Sequence, residues 1–174
     1  MSFRPILPAL ALALAFWAPP TLLSAQGMQV GFGGLRQDTS APVEVTADSL
    51  TVDQAEGRAV FTGEVMVVQG QMRLSAAEVR VEYGEDGTGI SRLHATGGVI
   101  LATGADAAEA REAVYTVATG ELVMSGDVLL TQGPASISGQ RLVADLRAGT
   151  GRMEGRVQTV FRPGGTGGDT EGAD

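Results

Sequence analysis

Few side chains in this sequence could do chemistry, and they are not gathered together. His94 is the only histidine, and cysteine and lysine are both absent. A charge-relay triad would have to use His94. No nucleophile motif accompanies it. It also falls out of step with Leu93, Ala95, Gly97 and Val99, which places it on the outer side of a strand. Thiolate and amine nucleophiles are excluded by composition. A histidine metal cluster is excluded by count, and the 20 acidic residues do not form a calcium-loop pattern. Glu85-Asp86-Gly87 reads as a loop tip with, at most, a weak surface cation site. No Gly-rich loop follows a strand and opens a helix, as a nucleotide site requires. Arg58, Arg73, Arg80, Arg92, Arg111 and Arg141 could meet phosphates at an open end of the fold. The plainer reading of each is a charge on a solvated strand face. No catalytic residue, cofactor or metal site is expected.

Charge and processing signals narrow the setting. Net charge is −8, and all 12 basic residues are arginine. A chain this acidic has no footprint for nucleic acid, and it gains little from an anionic membrane surface. Arg4, the apolar run from Ile6 to Leu23 and the small pair Ser24-Ala25 have the layout of a secretory signal. Residues 1–25 are read as that cleavable signal. Pro19-Pro20 would end a helix before it spanned a bilayer. Export without cysteine fits a bacterial periplasm. Gln26 to Ala41 is read as a flexible lead-in, and residues 163–174, rich in Gly and acid, as a disordered tail. Residues 42–162 remain as one domain.

That domain alternates. Val79, Val81 and Tyr83 interleave with Glu78, Arg80 and Glu82; Leu142, Ala144 and Leu146 interleave with Arg141, Asp145 and Arg147. A period of two sorts apolar side chains to one face of a strand and charges to the other. Gly-containing breaks recur at Glu56-Gly57, Gln69-Gly70, Gly84 to Gly89, Thr103-Gly104, Thr119-Gly120, Gln132-Gly133 and Gly149 to Gly151. Short strands separated by such turns predict an all-β sandwich, barrel or roll. Ala105 to Ala113 is the best helix candidate, or else a turn leading into a strand.

The chain also repeats. Phe61-Thr62-Gly63-Glu64-Val65-Met66-Val67-Val68-Gln69-Gly70 recurs from Ala95 to Gly104, from Met124 to Gly133, and in decayed form from Met153 to Phe161. Gly63, Gly97, Gly126 and Gly155 stand 34, 29 and 29 residues apart. Such a period signals stacked units that bury one shared apolar face. Parity puts Val52, Phe61, Val65, Val67, Leu74, Val81, Leu93, Val99, Leu101, Leu122, Met124, Val128, Leu130 and Leu142 on the inward face. It puts the recurring glycines there too, leaving room for a bend, a bulge or a neighbouring side chain.

Pro42-Val43-Glu44-Val45-Thr46-Ala47-Asp48, Asp53, the Phe61 to Gly70 block and Met72-Arg73-Leu74-Ser75-Ala76-Ala77-Glu78-Val79 resemble the opening of the OstA-like domain family typified by LptA. Gly155-Arg156-Val157-Gln158-Thr159-Val160-Phe161 is similar to that family's last strand. The resemblance covers Val43 to Phe161; its opening third is specific, and the middle matches in rhythm. The insertion at Gly84 to Ile90 and the absence of lysine are departures. The second puts in doubt any family contact that uses lysine.

The resemblance implies an open, twisted β-jelly roll of many short antiparallel strands. It implies a periplasmic bridge that moves lipopolysaccharide from the inner to the outer membrane by passive binding and hand-over. Lipid A acyl chains would contact the inward residues named above. The implied partners are an LptC-like inner-membrane protein, an LptD-like outer-membrane protein and further copies joined head to tail. The edges expected to pair lie at Val43 and Val45 and at Val157, Thr159 and Phe161. Two other readings stay open: a membrane-anchored LptC-like component, and a structural β-solenoid filament whose inward residues fill a dry core and bind no lipid.

Overall fold

The computed structural model describes residues 28–31, 38–84, 89–104 and 106–162. The expected signal, the Glu85-Asp86-Gly87 loop tip and the acidic tail lie outside them. Eleven strands are present: β1 (Met28–Gly31), β2 (Glu44–Thr46), β3 (Ser49–Asp53), β4 (Arg58–Gln69), β5 (Met72–Tyr83), β6 (Ile90–Thr103), β7 (Asp106–Thr116), β8 (Glu121–Gln132), β9 (Ala135–Asp145), β10 (Thr150–Glu154) and β11 (Gln158–Phe161). They form one antiparallel sheet in the order β1-β10-β9-β8-β7-β6-β5-β4-β2. The two outer strands are each broken in two, so β3 also pairs with β4 and β11 also pairs with β9. The fold is therefore all-β, as the alternation and the turn spacing predict, and among the architectures they leave open it is the open roll that the resemblance implies.

Each repeat unit carries the same backbone event near its start. Gly63-Glu64, Gly97-Gly98, Gly126-Asp127 and Gly155-Arg156 all have positive φ, between 42° and 85°. At this level the register between neighbouring long strands slips by one residue, for example between Ser125 and Val128 on β8. A bulge repeated at one level of every unit bends the whole sheet along a line. The partner strands switch parity there. Burial on β5 runs Met72, Leu74, Ala76 and then Val79, Val81; on β9 it runs Ile137 and then Leu142, Ala144. The crease divides the sheet into half-sheet A (49–62, 78–84, 89–96, 112–125, 141–154 and β1) and half-sheet B (44–46, 65–76, 99–104, 106–110, 128–139 and 158–161).

With no helix among the described residues, the two halves cover each other's apolar faces. One inward row of half-sheet A is Ala59, Val81, Leu93, Tyr115, Leu122 and Ala144, each the register partner of the next. Its counterpart in half-sheet B is Val67, Leu74, Leu101, Ala108, Leu130 and Ile137. All twelve are at most 4% exposed.

Three expectations are corrected. Residues 106–113 are strand, because an alanine-rich stretch flanked by long apolar strands gains more from ladder pairing on both sides than from helix propensity. Met28–Gly31, inside the expected lead-in, forms β1 against β10. The recurring glycines do not project inward: a Cβ at Gly63, Gly97, Gly126 or Gly155 would strike the exposed residue beside it, respectively Asp48, Ala77, Arg111 or Gln140. Positive φ swings that position outward, and the neighbour packs over the bare backbone.

Candidate functional site: the interior, its mouth and its two ends

Of the inward residues read from the sequence, Val65, Val67, Leu74, Val81, Leu93, Val99, Leu101, Leu122, Met124, Val128, Leu130 and Leu142 are buried. Phe61 is partly buried and packs against that core. Val52 departs from the expectation: it is 53% exposed, as is Leu50. Both lie in register with inward residues of β4, Leu50 opposite Phe61 and Val52 opposite Ala59. Among the described residues no strand lies beyond β3 in the sheet, and Leu50 and Val52 stay uncovered at this end. Parity therefore assigned the side of the strand correctly but could not show where the roll stops.

The other end repeats this arrangement. Thr159 on β11 pairs with the buried Ile137, yet Phe161, two residues further on, is 73% exposed. Val160, on the opposite side, is 50% exposed. The Thr159 hydroxyl is buried without a hydrogen-bond partner among the described residues. Val43 and Val157 lie just outside β2 and β11, and with Val45 they pack against the core from the rim. Sequence reasoning located β2 and β11 as edges. It missed that β3 completes the first edge and that β1 covers β10.

Opposite the crease, the free margins of the two half-sheets meet through polar groups. The Tyr115 hydroxyl on half-sheet A donates to Gln69 Oε1 on half-sheet B at 2.9 Å. Gln69 Nε2 donates to the carbonyls of Thr39 (3.1 Å) and Ala41 (2.9 Å). Arg147 donates from Nε to Thr39 Oγ1 at 2.9 Å and from Nη2 to the carbonyls of Val117 and Ala118. Residues 38–41 thus bridge the mouth. Their turn is held by Asp38, whose carboxylate accepts from the Ser40 amide and hydroxyl; these bonds keep the Asp38 carboxyl below its usual range. Burial pushes the Tyr115 phenol above its ordinary value, against the opposing pull of Arg147. Among the described residues Gln69, Thr103 and Asp106 are the buried polar residues of the core, and all three lie at strand ends of half-sheet B at this margin. Asp106 is satisfied by Gln132 Nε2 at 2.9 Å.

The outer face carries ordinary surface electrostatics. Arg58 pairs with Glu56 and Asp53, Arg80 with Glu78, Arg92 with Glu82, Arg111 with Asp127, and Arg141 and Arg152 with Glu154. Such exposed pairs contribute little to stability. His94 Nε2 lies 3.8 Å from the Glu112 carboxylate, out on the strand face where its parity placed it. A shallow depression of about 250 Å³ lies along the crease, lined by Asp127, Val128, Leu129, Ser138, Gly139, Gln140 and Arg156. Most of its lining is outward, and the buried Val128 and Gly139 form part of its floor.

The architecture is a bent antiparallel roll with an apolar interior, a polar mouth and two ends that expose inward-register side chains. The LptA/(LptD N-terminal domain) LPS transport protein family matches residues 44–150. The chain belongs to that family. Among relatives of this LptA-like protein, an uncharacterized protein of Rhizobium meliloti (strain 1021) is 28% identical over 150 residues, covering 80% of this chain and 81% of its own. Among solved structures, LptH from Pseudomonas aeruginosa has a TM-score of 0.66 at 20% identity, covering 73% of this chain and 99% of its own. LptH is described as the LptA-homologous periplasmic component of the conserved lipopolysaccharide transport device. At that identity the likeness carries the fold, and the OstA-like roll expected from the sequence is the fold this protein has.

Proposed function

We propose that this LptA-like protein acts in the periplasm as a non-enzymatic carrier in lipopolysaccharide transport, taking lipid A acyl chains between its two half-sheets and handing them on. The observation that carries the reading is the pair of continuous apolar rows, from Ala59 to Ala144 and from Val67 to Ile137, in a chain of this transport family. The rows run the full length of the roll toward both ends, as a slide for alkyl chains requires. In the closed form described above they are packed against each other, so acyl chains enter only when the half-sheets part. The bridge of Gln69, Tyr115, Arg147 and residues 38–41 is the polar contact that has to loosen. Lipid burial then replaces the apolar contact the halves lose.

The exposed, strand-edged ends support end-to-end joining. β2 and β3 form one end and β11 the other, with Leu50, Val52 and Phe161 as apolar surface for the joint. The partners are further copies and, in the same pathway, LptC-like and LptD-like proteins that carry a matching roll.

The test is photo-cross-linking to lipopolysaccharide from Val65, Val99 and Val128, with Glu82 as the outward control. Adducts at the three inward positions alone are expected. A folded protein that gives no adducts at any of them overturns the carrier reading in favour of a structural filament.

A further inference from the structure

β1 lies on β10 in the register that β3 takes on β4. Measured from the crease glycines, Gly151, Met153 and Gly155 on the last unit correspond to Ala59, Phe61 and Gly63 on the first. Met28 pairs with Met153, as Leu50 pairs with Phe61. Val30 pairs with Gly151, as Val52 pairs with Ala59. Gln29 and Thr51 are then equivalent, and so are Gly31 and Asp53. Both strands run antiparallel to their partners. The short sequences Met-Gln-Val and Leu-Thr-Val share the same apolar-polar-apolar order.

The topology of an end-to-end joint makes this coincidence consequential. The last strand runs from half-sheet A (β10) into half-sheet B (β11), whereas the first runs from half-sheet B (β2) into half-sheet A (β3). A second copy that continues the sheet would therefore lay its β2 on β11 and its β3 on β10, antiparallel throughout. Among the described residues of the isolated chain nothing pairs on the outer edge of β11, but the β10 edge is taken by β1.

We infer that β1 is a self-made cap: it holds the slot on β10 that belongs to β3 of the next copy, and end-to-end growth proceeds by exchanging one for the other. The inference rests on the end-to-end reading above and adds to it a competition within each molecule. The occupant it names is a second copy of this chain. The incoming strand brings one more residue than β1, and it arrives with β2, which pairs on β11 at the same time. A four-residue strand tethered at the far end of the roll is thus a barrier that a complete partner strand can overcome. It still protects the edge from indiscriminate pairing.

The chain has no cysteine, so engineered pairs are unambiguous. Gln29 and Arg152 are direct partners, and facing residues of antiparallel strands lie within disulfide reach. The full chain carrying Gln29→Cys and Arg152→Cys is compared, oxidised and reduced, by sedimentation velocity. A second variant, Gln29→Pro with Val30→Pro, disables the cap, since one of two successive amides must face β10. The oxidised form is expected to stay monomeric at concentrations where the reduced form assembles, and the double-proline chain to assemble at least several-fold more readily than either. In mixtures of a Thr51→Cys chain with an Arg152→Cys chain, the intermolecular disulfide between those positions is expected. Equal self-association of oxidised and reduced forms overturns the cap while leaving end-to-end assembly standing. Monomers in every form, the double-proline chain included, overturn the assembly reading and the cap together.

Discussion

The Tyr115 hydroxyl donates to Gln69 Oε1 across the mouth of the roll, joining strands β7 and β4 that are not neighbours in the sheet. Both side chains are about 1% exposed. Tyr115→Phe leaves the buried Gln69 oxygen without its donor, which costs about 1–2 kcal/mol. Denaturant unfolding is expected to show that loss, and an apolar fluorophore is expected to bind more readily as the mouth loosens. If stability and dye binding are both unchanged, the bond does not hold the halves together.

The same phenol gives a pH signature. Its folded-state value is raised by burial, so the folded form binds the proton more tightly than the unfolded chain. That contribution is fully present below the ordinary tyrosine value near about pH 10 and is lost as pH rises through the folded value. Stability of the unmodified chain should therefore fall above about pH 10, and Tyr115→Phe should flatten that fall. Parallel alkaline profiles for the two proteins would count against it.

Gly97 and Gly98 separate two kinds of glycine requirement. Both have φ near +85°, but a Cβ on Gly97 would sit 2.6 Å from the Ala77 Cβ, whereas one on Gly98 meets nothing within 4 Å. Gly98→Ala should cost only the backbone strain, roughly 1–2 kcal/mol. Gly97→Ala should cost clearly more, because a methyl on Ala77 cannot rotate away. Thermal unfolding of the pair checks this; equal losses would mean that the close approach at the crease is not a constraint.

Val128 is fully buried beside the crease of β8. Val128→Asp places an unpaired carboxylate between the half-sheets and should destabilise the fold by more than about 3 kcal/mol. A variant with unchanged thermal stability would show that the inner face is wet or misassigned.

Phe161 is 73% exposed on the terminal edge, so Phe161→Asp should leave monomer stability within about 0.5 kcal/mol. End-to-end association should weaken by an order of magnitude or more, read by sedimentation at matched concentrations. Association that persists undiminished would place the joint elsewhere.

Fold class and inward face were legible because strand parity is local: a period of two is visible in any one segment, as at Val79, Val81 and Leu142, Ala144. The crease was legible as a repeat of glycines, though not as a bend. Gly63, Gly97, Gly126 and Gly155 are spaced in sequence, but the side on which Asp48, Ala77, Arg111 and Gln140 pack depends on φ, which no pattern of residue types displays. Ala105 to Ala113 read ambiguously because propensity is a weak local term and pairing on both sides is a large non-local one.

The sequence by itself determined an alternating all-β chain, its repeat, its charge and a composition with one histidine and neither cysteine nor lysine. Only the tertiary structure decided where the roll stops, what lies across its mouth and which edge is already occupied. Val52 is exposed because no described strand lies beyond β3 in the sheet, Thr39 meets Arg147 across 108 residues, and Met28 pairs in register with Met153 across nearly the whole domain. Those relationships are set by how the ends of the chain return to the sheet, and contacts between residues so far apart leave no periodic trace in the sequence.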